Sequence, residues 1–340
     1  MEFYSGIGGM HVSLDRAARH TGGSFEVLCA FDINPNANVV YQLNFGLTVN
    51  HKSIENFDCD YLDSFGADTW LLSPPCQPYT LQKGAKQKDT EDPRAKSFLH
   101  LLKLFPTLKK PPTRILLENV RGFEMSETRK QLLSTMTPSY NYQEFLLSPT
   151  QFGLPNSRMR YFFLAKKKPE DFLDPSRNGS VLCFIPCCKY FDSEGRPLEG
   201  IKKIECYLEG DDPNLHSYLV PQRLLQKTSR VMDITKKSDS HSCCFTKAYG
   251  QYVEGTGSLL QQNLDIDLDS EDSKGTDIIE KLELRFFTPR EIANLHGFPA
   301  DFTFGSLTKK QQYQLLGNSL NCVVVGNLLQ YLLQNQDSKI

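Results

Sequence analysis

No apolar run in the 340-residue chain approaches the roughly 20 residues that a bilayer-crossing helix needs. The start, Met1-Glu2-Phe3-Tyr4-Ser5-Gly6, has neither a basic nor a long apolar signal region, so the chain reads as soluble and intracellular. An excess of one charge is missing too. Its 38 basic and 40 acidic side chains leave a formal net charge of -2, so contacts with a polyanion must come from local patches. Ten cysteines are present without a single C-x-x-C pair. They read as free thiols, and Cys183, Cys187, Cys188, Cys243 and Cys244 are not expected to hold a metal. With 39% hydrophobic and 23% charged residues, wholesale disorder and a fibrous repeat are excluded.

What is present is an alternation. The first 170 residues interleave short apolar runs with amphipathic stretches, the pattern of a parallel sheet covered by helices. Expected strands are Glu2 to Tyr4, Glu26 to Phe31, Thr69 to Leu72, Arg114 to Leu117, Tyr142 to Leu147 and Arg160 to Ala165. The first is short for a central strand, so either further residues precede it or it is a stub. Asp92 and Pro93 predict a helix start, with Phe98, Leu101, Leu102 and Phe105 on one face and Pro106 as its stop. Leu320, Val323, Val324, Leu328, Tyr331 and Leu332 predict a last helix against the sheet. Residues 171–304 read as a smaller, irregular domain. It carries a basic stretch from Lys227 to Lys237 and a solvated acidic insert over about 264–283.

Five segments carry chemistry. Phe3-Tyr-Ser-Gly-Ile-Gly-Gly-Met10 is a glycine turn between a strand and a helix, where missing Cβ atoms permit a tight bend and close approach of a ligand. Asp32 ends the next strand, placed either to accept from ribose hydroxyls or to cap a helix. In Ser73-Pro-Pro-Cys-Gln-Pro-Tyr79 two prolines bar helix and inner strand and project Cys76 from the sheet's carboxyl edge, as a nucleophile or as a structural thiol. Glu118 closes an apolar strand. Enclosed by apolar neighbours it would hold a proton near neutral pH; otherwise it is a cap or a surface acid. In Asn156-Ser-Arg-Met-Arg160, Arg158 and Arg160 face opposite ways unless a strand begins between them, so one can hold a ligand while the other braces the scaffold.

In order, the glycine turn, the acid after the second strand, Pro-Pro-Cys-Gln, Glu-Asn-Val, Arg-x-Arg and Gly317-Asn-Ser-Leu-Asn321 resemble the motif series of the cytosine-5 methyltransferases over nearly the whole chain. Glu118-Asn-Val-Arg-Gly-Phe123, Asp92-Pro-Arg94, Leu154-Pro-Asn-Ser-Arg-Met-Arg-Tyr161 and Cys244-Phe-Thr-Lys-Ala-Tyr249 resemble the branch that methylates the anticodon loop of aspartate tRNA. The resemblance implies a Rossmann-like α/β fold that uses S-adenosylmethionine and yields S-adenosylhomocysteine. A catalytic domain over 1–170 and 305–340 would carry a target-recognition domain over 171–304.

It also implies roles. The Cys76 thiolate would add to carbon 6 of cytosine, with Glu118 on ring nitrogen 3 and Arg160 on the exocyclic oxygen, and Arg158 is counted with them as catalytic. Tyr4, Gly6 and Gly8, with Ser5, Gly9 and Pro74, would shape the cofactor's methionine end, closed by Asn318 and Ser319. Asp32 would hold the ribose, and Ile33 and Ile54 the adenine. No metal is implied. The expected partner is tRNA, with weak DNA binding as a lesser possibility, and the chain would act as a monomer in the cytoplasm or nucleus. Candidate RNA contacts are Lys83, Lys86, Lys88, Lys109, Lys110 and the run Arg158 to Lys168, each also explicable as an ordinary solvated face. The rival readings are a DNA cytosine-5 methyltransferase, a catalytically silent nucleic-acid-binding homologue and a nicotinamide-dependent dehydrogenase. The last leaves Pro-Pro-Cys-Gln unexplained.

Overall fold

Helix starts are written in short polar side chains. Asn34 accepts from the amides of Asn36 and Ala37 ahead of Pro35, Ser126 accepts from Arg129 N, and Thr288 and Thr308 each close a reciprocal box with the residue three further on. The structure, a computed structural model, describes residues 1–80, 89–210, 213–228, 232–266 and 276–334. The elements run β1 (Glu2–Phe3), α1 (Gly9–Thr21), β2 (Ala30–Phe31), α2 (Pro35–Phe45), α3 (Cys59–Phe65), β3 (Thr69–Leu72), α4 (Lys96–Leu104), β4 (Arg114–Val120), α5 (Glu127–Met136), β5 (Tyr140–Leu147) and β6 (Arg160–Lys167). Next come β7 (Val181–Leu182), α6 (Gln222–Thr228), β8 (Ile234–Thr235), β9 (Leu259–Gln261), α7 (Thr276–Lys281), β10 (Leu284–Phe286), α8 (Pro289–Leu295), α9 (Lys309–Asn318) and α10 (Cys322–Leu333).

The chain divides into two units, one of residues 1–148, 159–198 and 322–340, the other of 149–158 and 199–321. These boundaries differ from 170/171 and 304/305. Residues 181–182 pair as β7 with β5, which ties that stretch to the first unit. α9 packs on α8, which ties 309–318 to the second.

The first unit holds a seven-stranded sheet in the order β2-β1-β3-β4-β6-β5-β7. Only β6 runs against the others. Both faces are covered, so β3, β4 and β6 carry unbroken apolar stretches at 70–72, 115–117 and 161–165. One face, with Phe3, Phe31, Trp70, Leu117 and Phe163, packs on Phe98, Leu101, Leu132 and Met136 of α4 and α5. α10 lies against β4, β6 and α1. The second unit centres on the sheet β10-β9-β8.

Among the described residues no helix is long and apolar enough to cross a membrane, and none of the ten cysteines is in a disulfide. Lys83, Lys86 and Lys88, the middle of the acidic insert and part of the Lys227 to Lys237 stretch lie outside the described residues.

Candidate active site

At the end of β1 the chain must turn inside a sheet, and backbone bonds to both neighbouring strands fix how it does so. Ser5 N donates to Phe31 O at 3.0 Å, Ser73 N to Phe3 O at 3.3 Å and Ser73 Oγ to Tyr4 O at 2.9 Å. The turn is left-handed at Tyr4 (φ 59), Gly6 (φ 54) and Gly8 (φ 87). The two glycines differ in what they leave room for. A Cβ on Gly8 would stand 2.1 Å from Cε2 of Phe45, so packing against α2 requires that glycine. A Cβ on Gly6 would meet nothing nearer than Tyr4 O at 4.0 Å, leaving open space. Tyr4 donates its hydroxyl to Ser97 Oγ at 3.0 Å, and Gly9 begins α1. Ser5 Oγ is buried without a hydrogen-bond partner among the described residues.

Asn34, not Asp32, caps α2. The Asp32 carboxylate instead accepts from Gly6 N (2.8 Å) and Asn34 N (2.8 Å), tying the glycine turn to the end of β2 and keeping acceptor capacity on both oxygens. Desolvation pushes its pKa up against those bonds. Beside it Ile33 is 75% exposed, whereas Ile54 is 7% exposed and packed in the core with Phe31 and Phe57. Of the two expected adenine contacts, only Ile33 presents a free apolar face.

β3 and β4 pair in parallel from Thr69 opposite Arg114 to Leu72 opposite Leu117, so Ser73 leaves the sheet beside Glu118. Asn119 Nδ2 then donates to Pro74 O at 3.3 Å, joining the Pro-Pro-Cys bend to the Glu-Asn-Val end. Asn119 is buried. Cys76, half-buried, heads the 3-10 turn Gln77–Tyr79, its carbonyl accepting from Tyr79 N at 3.0 Å. Among the other thiols, burial pushes Cys243 up to about 11 and Cys322 up to about 12, which leaves them poor nucleophiles. Of the two readings open for Glu118, a purely apolar enclosure is not found: Arg160 Nε stands 3.4 Å from its Oε1. The strand does begin between the two arginines, at Arg160.

Arg158 braces the second unit. It is buried, and its guanidinium donates to Phe245 O (3.2 Å), Gly317 O (3.3 Å) and Ser319 O and lies 3.1 Å from Cys244 Sγ. It thereby fastens the Cys-Phe-Thr-Lys-Ala-Tyr segment to Gly317-Asn318-Ser319. A Cβ on Gly317 would fall 2.1 Å from Lys247 N, so glycine is the residue that fits there. Asn318 ends α9, and Ser319 is its C-cap.

The run Arg158 to Lys168 is not a free basic face. Arg160 faces Glu118, Lys166 is buried with its Nζ on Asp171 O and Gln334 O, and Lys168 Nζ caps Thr137 O. Lys109 pairs with Asp60 at 2.9 Å. Sequence reasoning missed the supporting residues Ser73, Asn119 and Asn34. The available signal was a polar side chain at a strand end for Ser73 and Asn119, and an asparagine directly before a proline for Asn34.

The family described as C-5 cytosine-specific DNA methylase matches residues 1–334. The chain is 40% identical over 98% of its length to a DNA (cytosine-5)-methyltransferase of Dictyostelium discoideum, 93% of which is covered. It is 38% identical over 98% of its length to a tRNA (cytosine(38)-C(5))-methyltransferase of Bos taurus, 98% of which is covered. The crystal structure of the S. pombe Dnmt2 methyltransferase is similar at a TM-score of 0.79 and 35% identity, covering 98% of this chain and 96% of that one. By family match, by full-length relatives and by a sheet shared with S-adenosylmethionine-dependent methyltransferases, the chain belongs to the C-5 cytosine methyltransferases.

Proposed function

We propose that this chain methylates carbon 5 of a cytosine in the anticodon loop of a tRNA, aspartate tRNA by resemblance, through a covalent bond to Cys76. The observation that carries the chemistry is the Asn119 bond to Pro74 O, which holds the Cys76 bend against the strand end bearing Glu118. Relatives named tRNA (cytosine(38)-C(5))-methyltransferases, matched over 98% of this chain, support the substrate.

The turn suits S-adenosylmethionine. Gly6 leaves space, Ser5 Oγ lacks a partner, Asp32 keeps acceptor capacity for ribose hydroxyls and Ile33 offers an apolar face to adenine. When bound, the cofactor supplies an electrophilic methyl group.

Carbon 5 of cytosine is a weak nucleophile. The Cys76 thiolate adds to carbon 6, and the electron pair of the 5,6 double bond moves toward nitrogen 3, which Glu118 protonates or hydrogen-bonds, making carbon 5 enamine-like. Arg160 orients the Glu118 carboxyl. After methylation, loss of the carbon 5 proton returns an electron pair to the ring and expels the thiolate. The target base must leave its stack, which costs a few kcal/mol and least in an unpaired loop.

The Dictyostelium relative's name favours one second reading, methylation of DNA. Labelled methyl incorporation by the wild-type chain and by Cys76→Ala separates the two. The proposal expects label in tRNA that the variant abolishes; label in duplex DNA alone would overturn it.

A further inference from the structure

Thr128, the second residue of α5, is fully buried and belongs to none of the motifs above. Its single hydroxyl is used in both directions. It accepts from the Tyr79 hydroxyl at 3.1 Å and donates to Asp89 Oδ1 at 2.7 Å. Tyr79 is itself buried and is bonded through its own amide to the carbonyl of Cys76. Asp89 is held in a left-handed conformation (φ 42), and its carboxylate also accepts from Glu127 N at 2.6 Å and Thr128 N at 3.2 Å. A non-glycine residue with φ of that sign persists where surrounding bonds over-determine it.

The chain of bonds continues. Asp92 N donates to Asp89 O at 3.1 Å, and the Asp92 carboxylate takes Arg94 Nε at 2.9 Å and Nη2 at 2.7 Å in a bidentate fork. The 3-10 turn Pro93–Ala95 packs on the turn Gln77–Tyr79.

We propose that Thr128 is a positioning residue of the methyl transfer. Its one hydroxyl clamps Tyr79 and Asp89 together, and so fixes both the bend that carries Cys76 and the Pro93–Ala95 turn packed beside it. Thr128 touches neither substrate nor cofactor. It acts through the orientation of Cys76, where a displacement of about 1 Å can cost roughly a hundredfold in rate. The inference rests on Cys76 being the nucleophile, so its test includes a readout that needs no methyl transfer.

The comparison is of wild type, Thr128→Val, Thr128→Ser and Tyr79→Phe. Thr128→Val keeps the shape and removes the clamp, Thr128→Ser keeps the hydroxyl, and Tyr79→Phe removes one bond if the valine variant fails to fold. Each is assayed for kcat and KM with tRNA, for S-adenosylhomocysteine affinity, and for alkylation of Cys76 by iodoacetamide at pH 7.5, read by peptide mass spectrometry. Expected is a fall of about tenfold or more in kcat for Thr128→Val and for Tyr79→Phe. KM and S-adenosylhomocysteine affinity stay within about twofold, Cys76 alkylation slows severalfold, and Thr128→Ser retains wild-type values. A serine variant as impaired as the valine variant, an unchanged kcat, or a loss confined to KM would each overturn it. If Cys76 were not the nucleophile, the alkylation rate would still change while Cys76→Ala kept turning over.

Discussion

Replacing Asn119 by alanine deletes the bond that ties the Cys76 bend to the strand end of Glu118. The expected result is a drop in kcat of about 10- to 100-fold, against a stability loss of only about 1–3 kcal/mol for the orphaned Pro74 carbonyl. Steady-state kinetics beside urea unfolding checks this; full activity in the variant would contradict it. Beneath the glycine turn, the Tyr41 hydroxyl donates to Glu2 Oε1 at 3.0 Å and lies 2.8 Å from His11 Nδ1. Burial raises the Glu2 carboxyl from 4.5 to about 7 and lowers the His11 imidazole from 6.5 to about 4. The folded state keeps the Glu2 proton that the unfolded chain loses, so this contribution falls as pH rises from about 4.5 to 7. The unfolded chain keeps a His11 proton that the folded state refuses, so the second contribution rises from about pH 4 to 6.5. The two slopes oppose each other. Glu2→Gln removes the falling one, and its stability relative to wild type should climb by about 3 kcal/mol between pH 4.5 and 7 in urea melts. Parallel curves would contradict the buried carboxyl. At this scale the motifs pointed to the groups proposed to do chemistry and were opaque for those that hold them. Cys76 and Glu118 announce themselves by motif, but nothing in spacing distinguished an Asp32 that caps from one that bridges until Asn34 took the cap.

Among the elements, β3 runs over Thr69–Leu72 as its apolar run predicts, and β6 begins at Arg160. β2 is shorter than the stretch Glu26 to Phe31 because a ladder needs a partner, and β1 supplies only Glu2 and Phe3. β7 went unread, since a two-residue edge strand carries no periodicity. The helix expected from Asp92 begins as a 3-10 turn over Pro93–Ala95 before α4, and it ends in another at Phe105–Thr107 around Pro106. α10 follows its apolar stripe, but the fastening of its end is tertiary. Lys166 Nζ, buried in β6, donates to Gln334 O just beyond α10 and to Asp171 O at 3.0 Å, and burial lowers its pKa to about 8. Lys166→Met should cost about 1–3 kcal/mol, with amide exchange rising first in the last turn of α10. Unchanged protection there would show that the lysine fastens nothing.

For the molecule as a whole, a net charge of -2 excluded a general attraction to nucleic acid. The basic run Arg158 to Lys168 is largely taken up by bonds within the protein. Order along the chain, not charge, made the family legible: the glycine turn, Pro-Pro-Cys-Gln and Glu-Asn-Val fall at three neighbouring strand ends of one sheet. The unit boundaries were not legible, because β7 and the bracing by Arg158 are contacts between segments distant in sequence. The central claim is that Cys76 attacks a tRNA cytosine, and a substrate whose carbon 5 bears fluorine tests it most directly, since the final loss of a proton cannot occur. Incubated with tRNA carrying 5-fluorocytosine and S-adenosylmethionine, the wild-type chain should form a denaturation-resistant adduct whose mass maps to the peptide containing Cys76, and Cys76→Ala should form none. An adduct on another residue, or wild-type turnover by Cys76→Ala, would contradict the account.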